Sequence, residues 1–397
     1  MTRAPAVAAE TLRSVIEDLA QLERGAGSPG EEVAAWRLRE RFEQAGCAAT
    51  VDEERYDDGY ARLHAGFSAL GALAGAMAVR GRGRAVAAVA GLAAALAAAD
   101  DSANGVRFVR RWVLGRKATW NVVAEAGDPA AARTLVVMAH HDAAPTGFIF
   151  DDTLQRKVND WFPDLIERTD TAVPMWWPVY AGPLMSALGA ATGRRGLARA
   201  GMLLSTASLA SFADIARDRI VPGASDNLSG VAVLVALAER LRAEPPDGLR
   251  VVLASCGAEE VLQGGVYGFV DRHLRGMDPA TTWVLNLDTL GSPRLIMAEG
   301  EGPVWMEDYC GPEFRDLIAD TARDSGIALR RNMRARTSTD SVIPSRAGYR
   351  TATLCSMNAW KGLDHYHRPT DVPENVDYST VESALDLTEA LARRLAS

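Results

Sequence analysis

A chain of 397 residues suits one large domain or a domain with substantial insertions, and its 48% hydrophobic content is enough for a sizeable core. The formal net charge is −8, from 43 basic and 51 acidic residues, with no basic stripe carrying interleaved aromatics. That balance argues against nucleic acid as a partner. Cys47, Cys256, Cys310 and Cys355 form no CxxC pair and no metal-type spacing, so they say little about compartment.

The N-terminal sequence MTRAPAVAAETLRSVIEDLAQLERG meets acidic residues before any apolar run develops, so it does not read as a cleavable signal peptide. Leu12, Ile16, Leu19 and Leu22 share one face of an amphipathic helix. A second helix starts at Ser28-Pro29-Gly30-Glu31: Ser28 caps it, Pro29 fits the first turn and Glu31 completes a capping box, with Gly46 ending it. A short strand through Ala49-Thr50-Val51 follows, and these elements call for no chemistry. Residues 65–79 and 85–99 are uncharged stretches rich in Ala and Gly, joined by Arg80-Gly81-Arg82-Gly83-Arg84. Strand texture resumes at Trp120-Asn121-Val122-Val123-Ala124. Next comes Leu135-Val136-Val137-Met138-Ala139, a continuous apolar run that marks a strand buried on both faces.

A second apolar region spans 171–213. Its first part, 171–193, is uncharged but holds Pro174, Pro178 and Pro183; Arg194-Arg195 then leads to the apolar segment 200–213. Beyond it, strands are predicted at 250–255, 282–287 and 351–356, with helices near 229–243, 312–325 and 379–395. Strands separated by helices imply an α/β sheet with helices on both faces. No repeat of fixed period is present, although the two apolar regions resemble each other in composition.

Five short segments carry candidate chemistry, and four follow predicted strands, where active sites of open α/β sheets gather. They are His140-His141-Asp142, Gly223-Ala224-Ser225-Asp226-Asn227-Leu228-Ser229-Gly230, Glu259-Glu260, Asn286-Leu287-Asp288, and His365-Tyr366-His367-Arg368-Pro369-Thr370-Asp371. Each has an ordinary structural use; Asp226 or Ser229, for example, suits the cap of the 229–243 helix. The adjacent carboxylates Glu259 and Glu260, at the end of a buried strand, would repel unless a cation or shared proton stabilises them. From these segments two histidines and three carboxylates can be drawn together, a set suited to a pair of borderline-hard cations.

In this order the segments resemble the zinc aminopeptidases of peptidase family M28. Its pattern is His-x-Asp, Gly-Ala-x-Asp-Asn-x-Ser-Gly, Glu-Glu, Asn-Leu-Asp and His-x-Pro-x-Asp. Thr339-Asp340-Ser341 followed by Ala347-Gly348 is similar to the family's Ser-Asp segment before its last strand. The resemblance covers roughly 1–60, 117–146 and 220–397; the interval from His140 to Asp226 is longer than usual because 171–213 is inserted. It implies a mixed, mostly parallel central sheet flanked by helices on both faces. The chain would then be a single catalytic domain interrupted by apolar helical hairpins at about 63–100 and 171–213. By the same resemblance His140 and Asp288 bind one zinc ion, Glu260 and His367 a second, and Asp226 bridges both. Asp142 orients His140, and Glu259 is the general base that activates water for hydrolysis of the N-terminal peptide bond of a peptide substrate. The alternatives are a glutaminyl cyclase-like enzyme with one zinc, and a catalytically silent binding or receptor domain.

The apolar regions lie outside the resemblance. Three of their segments fall short of the roughly 20 residues that cross a bilayer, whereas 171–193 reaches that length. Two helical hairpins in contact with a membrane are favoured over hairpins packed on a cytoplasmic enzyme or in an oligomer. Paired crossings return the chain to one side, keeping all five ligands in one compartment. The arginines at 80, 82, 84, 194, 195 and 199 would place the turns in the cytoplasm, while Arg107, Arg110, Arg111, Arg116 and Lys117 argue the other way, so orientation stays open.

Overall fold

The computed structural model describes residues 3–171 and 174–397. Among the described residues nine strands form one sheet: β1 (Ala48–Asp57), β2 (Arg116–Gly127), β3 (Thr134–His140), β4 (Arg250–Cys256), β5 (Thr282–Leu287), β6 (Arg294–Glu301), β7 (Glu307–Asp308), β8 (Arg330–Ala335) and β9 (Arg350–Met357). Their order is β1-β2-β4-β3-β5-β9-β6-β7, with β8 paired to β6. β4, β3, β5 and β9 run parallel and make the centre. The flanking pairs β1–β2, β2–β4, β6–β9 and β6–β7 are antiparallel.

All seven residues of β3 are buried, as its unbroken apolar run requires. Leu135, Val137 and Ala139 face a core shared with helices Arg3–Leu19, Pro29–Gln44, Ser229–Ala243 and Tyr378–Ala396. Val136 and Met138 face the opposite core, with Phe269, Leu274 and Val342. This period of two divides every central strand between the layers. The predicted helices at 229–243, 312–325 and 379–395 and the central strands fall within a residue of those observed, whereas the N-terminal helix ends at Leu19, before Leu22. The predicted strand at 49–51 is longer, because residues 48–57 pair along their whole length with β2. β6, β7 and β8 were not anticipated: β8, Arg-Arg-Asn-Met-Arg-Ala, is a charged strand with one buried residue and no apolar alternation.

Four helices occupy the apolar regions: Tyr60–Val79, Arg84–Ser102, Trp177–Thr192 and Arg195–Ile215. Of the apolar stretch 171–193, residues 172 and 173 lie outside the described ones. The two helix pairs pack on each other through small residues. A Cβ on Gly91 would lie 2.8 Å from the Pro183 carbonyl oxygen, and one on Gly201 would collide with the backbone nitrogen of Ser186. The base of the bundle, with Tyr60, Phe67, Val179, Phe212 and Ile215, packs against Leu262. The inserted helices therefore touch the segment that follows Glu259 and Glu260.

Gly201→Leu should force these helices apart and destabilise the protein by about 1–3 kcal/mol, the usual scale of overpacking. Gly66→Ala, at a position with open space around it, should leave stability unchanged or slightly raised. Thermal unfolding of the two variants beside the parent checks this; equal melting temperatures would show that the close approach is not needed.

Candidate metal centre

Three strand ends and two loops converge at the carboxyl edge of the parallel strands. β3 delivers His140, whose buried Nε2 lies 3.4 Å from Asp226 Oδ1 and 4.0 Å from Glu259 Oε2. Its other ring nitrogen, Nδ1, lies 3.4 Å from Asp142 Oδ1. The two oxygens of Asp142 also accept the backbone N–H groups of Glu259 and Glu260, each at 3.0 Å. One carboxylate thus sets both His140 and the Glu-Glu turn. His141 does not join the site: it is buried, its Nδ1 lies 2.9 Å from Ser255 Oγ, and burial pushes its pKa down to about 4.

The 223–230 loop presents Asp226, with a cis peptide between Asp226 and Asn227. Its backbone is held from both sides. Asp371 accepts from Ser225 N at 2.7 Å and Asp226 N at 3.1 Å. Asn227 donates to the Leu287 carbonyl and accepts from Thr289 N, which ties the loop to the segment carrying Asp288. Asn227, not Asp226 or Ser229, meets the start of the following helix, accepting from Gly230 N at 3.1 Å. The Asp226 carboxylate is therefore left free to face the cluster. The Thr289 hydroxyl lies 3.1 Å from Asp226 Oδ1 and 2.9 Å from Asp288 Oδ1.

His367 Nε2 lies 3.3 Å from Asp226 Oδ2 and 3.2 Å from Glu260 Oε2. Its ring stacks on Tyr366, with centroids 3.9 Å apart, and meets Phe150 at 4.5 Å. His365 turns away to Thr370 Oγ1. Asp340 is buried beside the cluster. The structure thus brings together His140, Asp142, Asp226, Glu259, Glu260, Asp288 and His367. Ligand-type atoms of His140, Asp226 and Asp288 lie within 4.8 Å of one another, as do those of Asp226, Glu260 and His367. His140, Glu259 and Glu260 satisfy the same limit.

Burial raises the pKa of Glu260 to about 7, that of Glu259 well above the ordinary carboxylate range, and that of Asp288 to a lesser degree. Asp226 runs the other way: against burial, its contacts with His140 and His367 hold it down. Burial would lower both histidines, yet Asp142 and Asp226 hold His140 well up, and Glu260 with Asp226 holds His367 at about 10. This is the electrostatics of a pocket short of positive charge. Imidazole nitrogens with carboxylate oxygens are a donor set that fits zinc, and buried Glu260 Oε1 and His367 Nδ1 have no hydrogen-bond partner among the described residues.

Several residues that shape the site gave no signal in the sequence. Glu31 only half-forms the predicted capping box: Ser28 Oγ accepts from Glu31 N, but the Glu31 carboxylate turns inward. It accepts from Gly27 N, from Thr119 Oγ1 and, at 2.8 Å, from Ala258 N, beside Glu259. Buried Arg24 donates to the carbonyls of Leu19, His141, Pro222 and Gly223, clamping the first two site segments together. Burial lowers its pKa to about 10, so it stays charged at neutral pH. Gln263 donates to Glu259 Oε1 at 2.9 Å and accepts from Asn104, which lies between the first hairpin and β2.

Residues 206–392 match the model of peptidase family M28. No curated protein matches the chain in sequence. Among solved structures, the chain is similar to a zinc aminopeptidase from Bacillus subtilis, with 14% identity and a TM-score of 0.58 over 97% of this chain and 95% of that one. It is similar to a Zn-dependent exopeptidase from Parabacteroides distasonis, with 12% identity and a TM-score of 0.53 over 97% of each chain. A glutaminyl cyclase from Bacteroides thetaiotaomicron bound to N-acetylhistamine gives 12% identity and a TM-score of 0.57, again over 97% of each chain. The chain has the fold of M28 zinc exopeptidases, and the resemblance read from its motifs holds.

Asp371→Asn would turn an NH2 group toward one of the two backbone N–H groups that Asp371 now accepts, disturbing the loop beneath Asp226. Divalent-metal affinity should fall by about 10–100-fold, the usual scale for a group that orients a ligand, with the circular dichroism spectrum unchanged. Titration of zinc into the apo-protein measures this, and an unaltered affinity would reject the supporting role.

Proposed function

We propose that this chain is a metal-dependent exopeptidase of the M28 type, a single catalytic domain interrupted at about 63–100 and 171–213, that removes N-terminal residues from peptides. His140 and Asp288 would hold one zinc ion, Glu260 and His367 a second, with Asp226 shared between them. The observation that carries this reading is the pair of triads with Asp226 in common, buried except for Asp288 at the edge. Bound there, two divalent ions polarise a peptide carbonyl and make water easier to deprotonate.

The chain's own residues do the rest. Glu259 has one oxygen occupied by Gln263 and the other directed toward His140, 4.0 Å away. The free oxygen takes the proton of the attacking water and returns it to the leaving amine. Asp142 keeps the His140 ring in place while fixing the backbone of Glu259. The cleft over the site continues into an apolar recess of about 310 Å³ beside Tyr60, Trp176, Val179, Phe212 and Leu262. That recess favours substrates with an apolar side chain beside the bond cleaved.

The rival is the one-zinc cyclase reading, raised by the likeness to glutaminyl cyclases. Two histidines and three carboxylates converging around one shared aspartate favour two ions. A silent binding domain would have no need of Glu259 in place above an intact donor set.

Elemental analysis should find close to two divalent ions per chain, and Asp226→Ala should lose most metal and all activity. A full metal complement in that variant would reject the shared role. Glu259→Gln should keep its metal while kcat on aminoacyl-p-nitroanilides falls by at least about 10²-fold; metal loss would make Glu259 a ligand instead. Turnover of N-terminal glutaminyl peptides to pyroglutamyl products, with no release of p-nitroaniline, would support the cyclase.

A further inference from the structure

The four inserted helices are built the opposite way from a bundle in water. A water-exposed helix buries its large apolar residues and shows polar ones. Here the contacts between helices are made by glycine, alanine and serine, including Gly71, Gly75, Gly91, Gly182, Gly189 and Gly201. Away from the base of the bundle, large aliphatic side chains point outward: Leu73 is 63% exposed, Val89 69%, Leu188 47% and Leu203 60%, one from each helix. Close packing through small residues is how helices associate where no hydrophobic effect drives them together.

Between the two ends of the bundle the outer surface also carries no charge on any side. No Asp, Glu, Lys, Arg or His occurs within 66–79, 85–99, 174–193 or 200–213. The exposed hydroxyls in this belt do not depend on water. Thr192 donates to the Leu188 carbonyl, Thr206 to Met202 and Ser211 to Ala207, each one turn back on its own helix. At one end of the belt lie Arg80, Arg82, Arg84, Arg194 and Arg195, with which no carboxylate pairs among the described residues. At the other end, Trp177, Phe108 and Trp112 are exposed. Apolar flanks closed by basic and aromatic ends are the pattern of a membrane-crossing unit.

We infer that the bundle formed by residues 60–102 and 177–215 is embedded in a lipid bilayer and holds the catalytic cleft at the membrane surface. A partner protein or a second copy covers one face of a bundle, whereas only lipid covers the outward aliphatic residues of all four helices. The helices have 20, 19, 16 and 21 residues, about 24–32 Å at 1.5 Å per residue, close to the roughly 30 Å of a hydrocarbon core. Singly, only Arg84–Ser102 is long and apolar enough to cross a membrane among the described residues. Together the four make a continuous belt, and their pairing returns both chain ends to the side of the sheet.

The test is flotation of membranes from cells expressing the full chain, washed with alkaline carbonate and run up a density gradient. The chain should float with lipid and leave it only in detergent. Leu73→Lys with Val89→Lys places two charges on outward positions that a water-exposed surface would tolerate. This variant should lose most of the floating fraction, while Arg82→Lys keeps it. A chain recovered without detergent as a monodisperse monomer would overturn the inference. So would a detergent-free dimer, which would assign the aliphatic surface to a second copy. Flotation unaffected by the paired lysines would also overturn it, by locating the membrane contact elsewhere.

Discussion

The structure depends on keeping several carboxylates together out of water. Asp142, Asp226, Glu259, Glu260 and Asp340 are buried within one cluster, with Asp288 half-exposed at its edge. Their mutual repulsion, together with lost hydration, would expel ionised groups from such a place unless each found a compensating partner. Each supporting contact answers this need. Asp142 and Asp371 take backbone N–H groups, Asp226 takes both histidines, and Arg24 supplies a buried guanidinium nearby. What these partners leave unmet is positive charge at the centre, which is why the reading turns on cations.

The same contacts explain why the supporting residues come from remote parts of the chain. The Glu-Glu turn is held by Asp142 from just after β3, Glu31 from the second helix and Gln263 from its own following turn. Residues between the first hairpin and β2 reach it too: Arg107 donates to the Leu262 carbonyl, Arg110 to that of Val261, and Asn104 to Gln263. Arg110 is in turn fixed by Asp101 at the end of the Arg84–Ser102 helix, which also meets His64. The inserted helices are therefore wired to the backbone beside Glu259, so displacement of the bundle would be felt at the site.

Much of this was legible in the sequence, for identifiable reasons. Strands such as β3 and β5 are short, largely apolar runs, and the candidate donors sit at or just beyond their ends, so pattern and chemistry point to the same places. β8 was not legible because its residues are held by ion pairs, such as Arg331 with Glu299 and Arg334 with Asp308, which leave no hydrophobic period. Glu31 read as a cap because its immediate neighbours form one; its long-range bonds to Thr119 and Ala258 depend on folding. Arg24 and Asn104 belong to no motif, since their partners are backbone or side-chain groups far away in the chain. The apolar hairpins could be outlined from composition, but the inversion of small residues inward and large residues outward is a property of the assembled bundle.

Whether Asp226 is shared can be seen in crystals of the zinc-loaded protein measured on both sides of the zinc absorption edge. Two anomalous peaks are expected, one beside His140 and Asp288 and one beside Glu260 and His367, with the Asp226 carboxylate between them. A single peak, or peaks that do not share Asp226, would contradict the shared role.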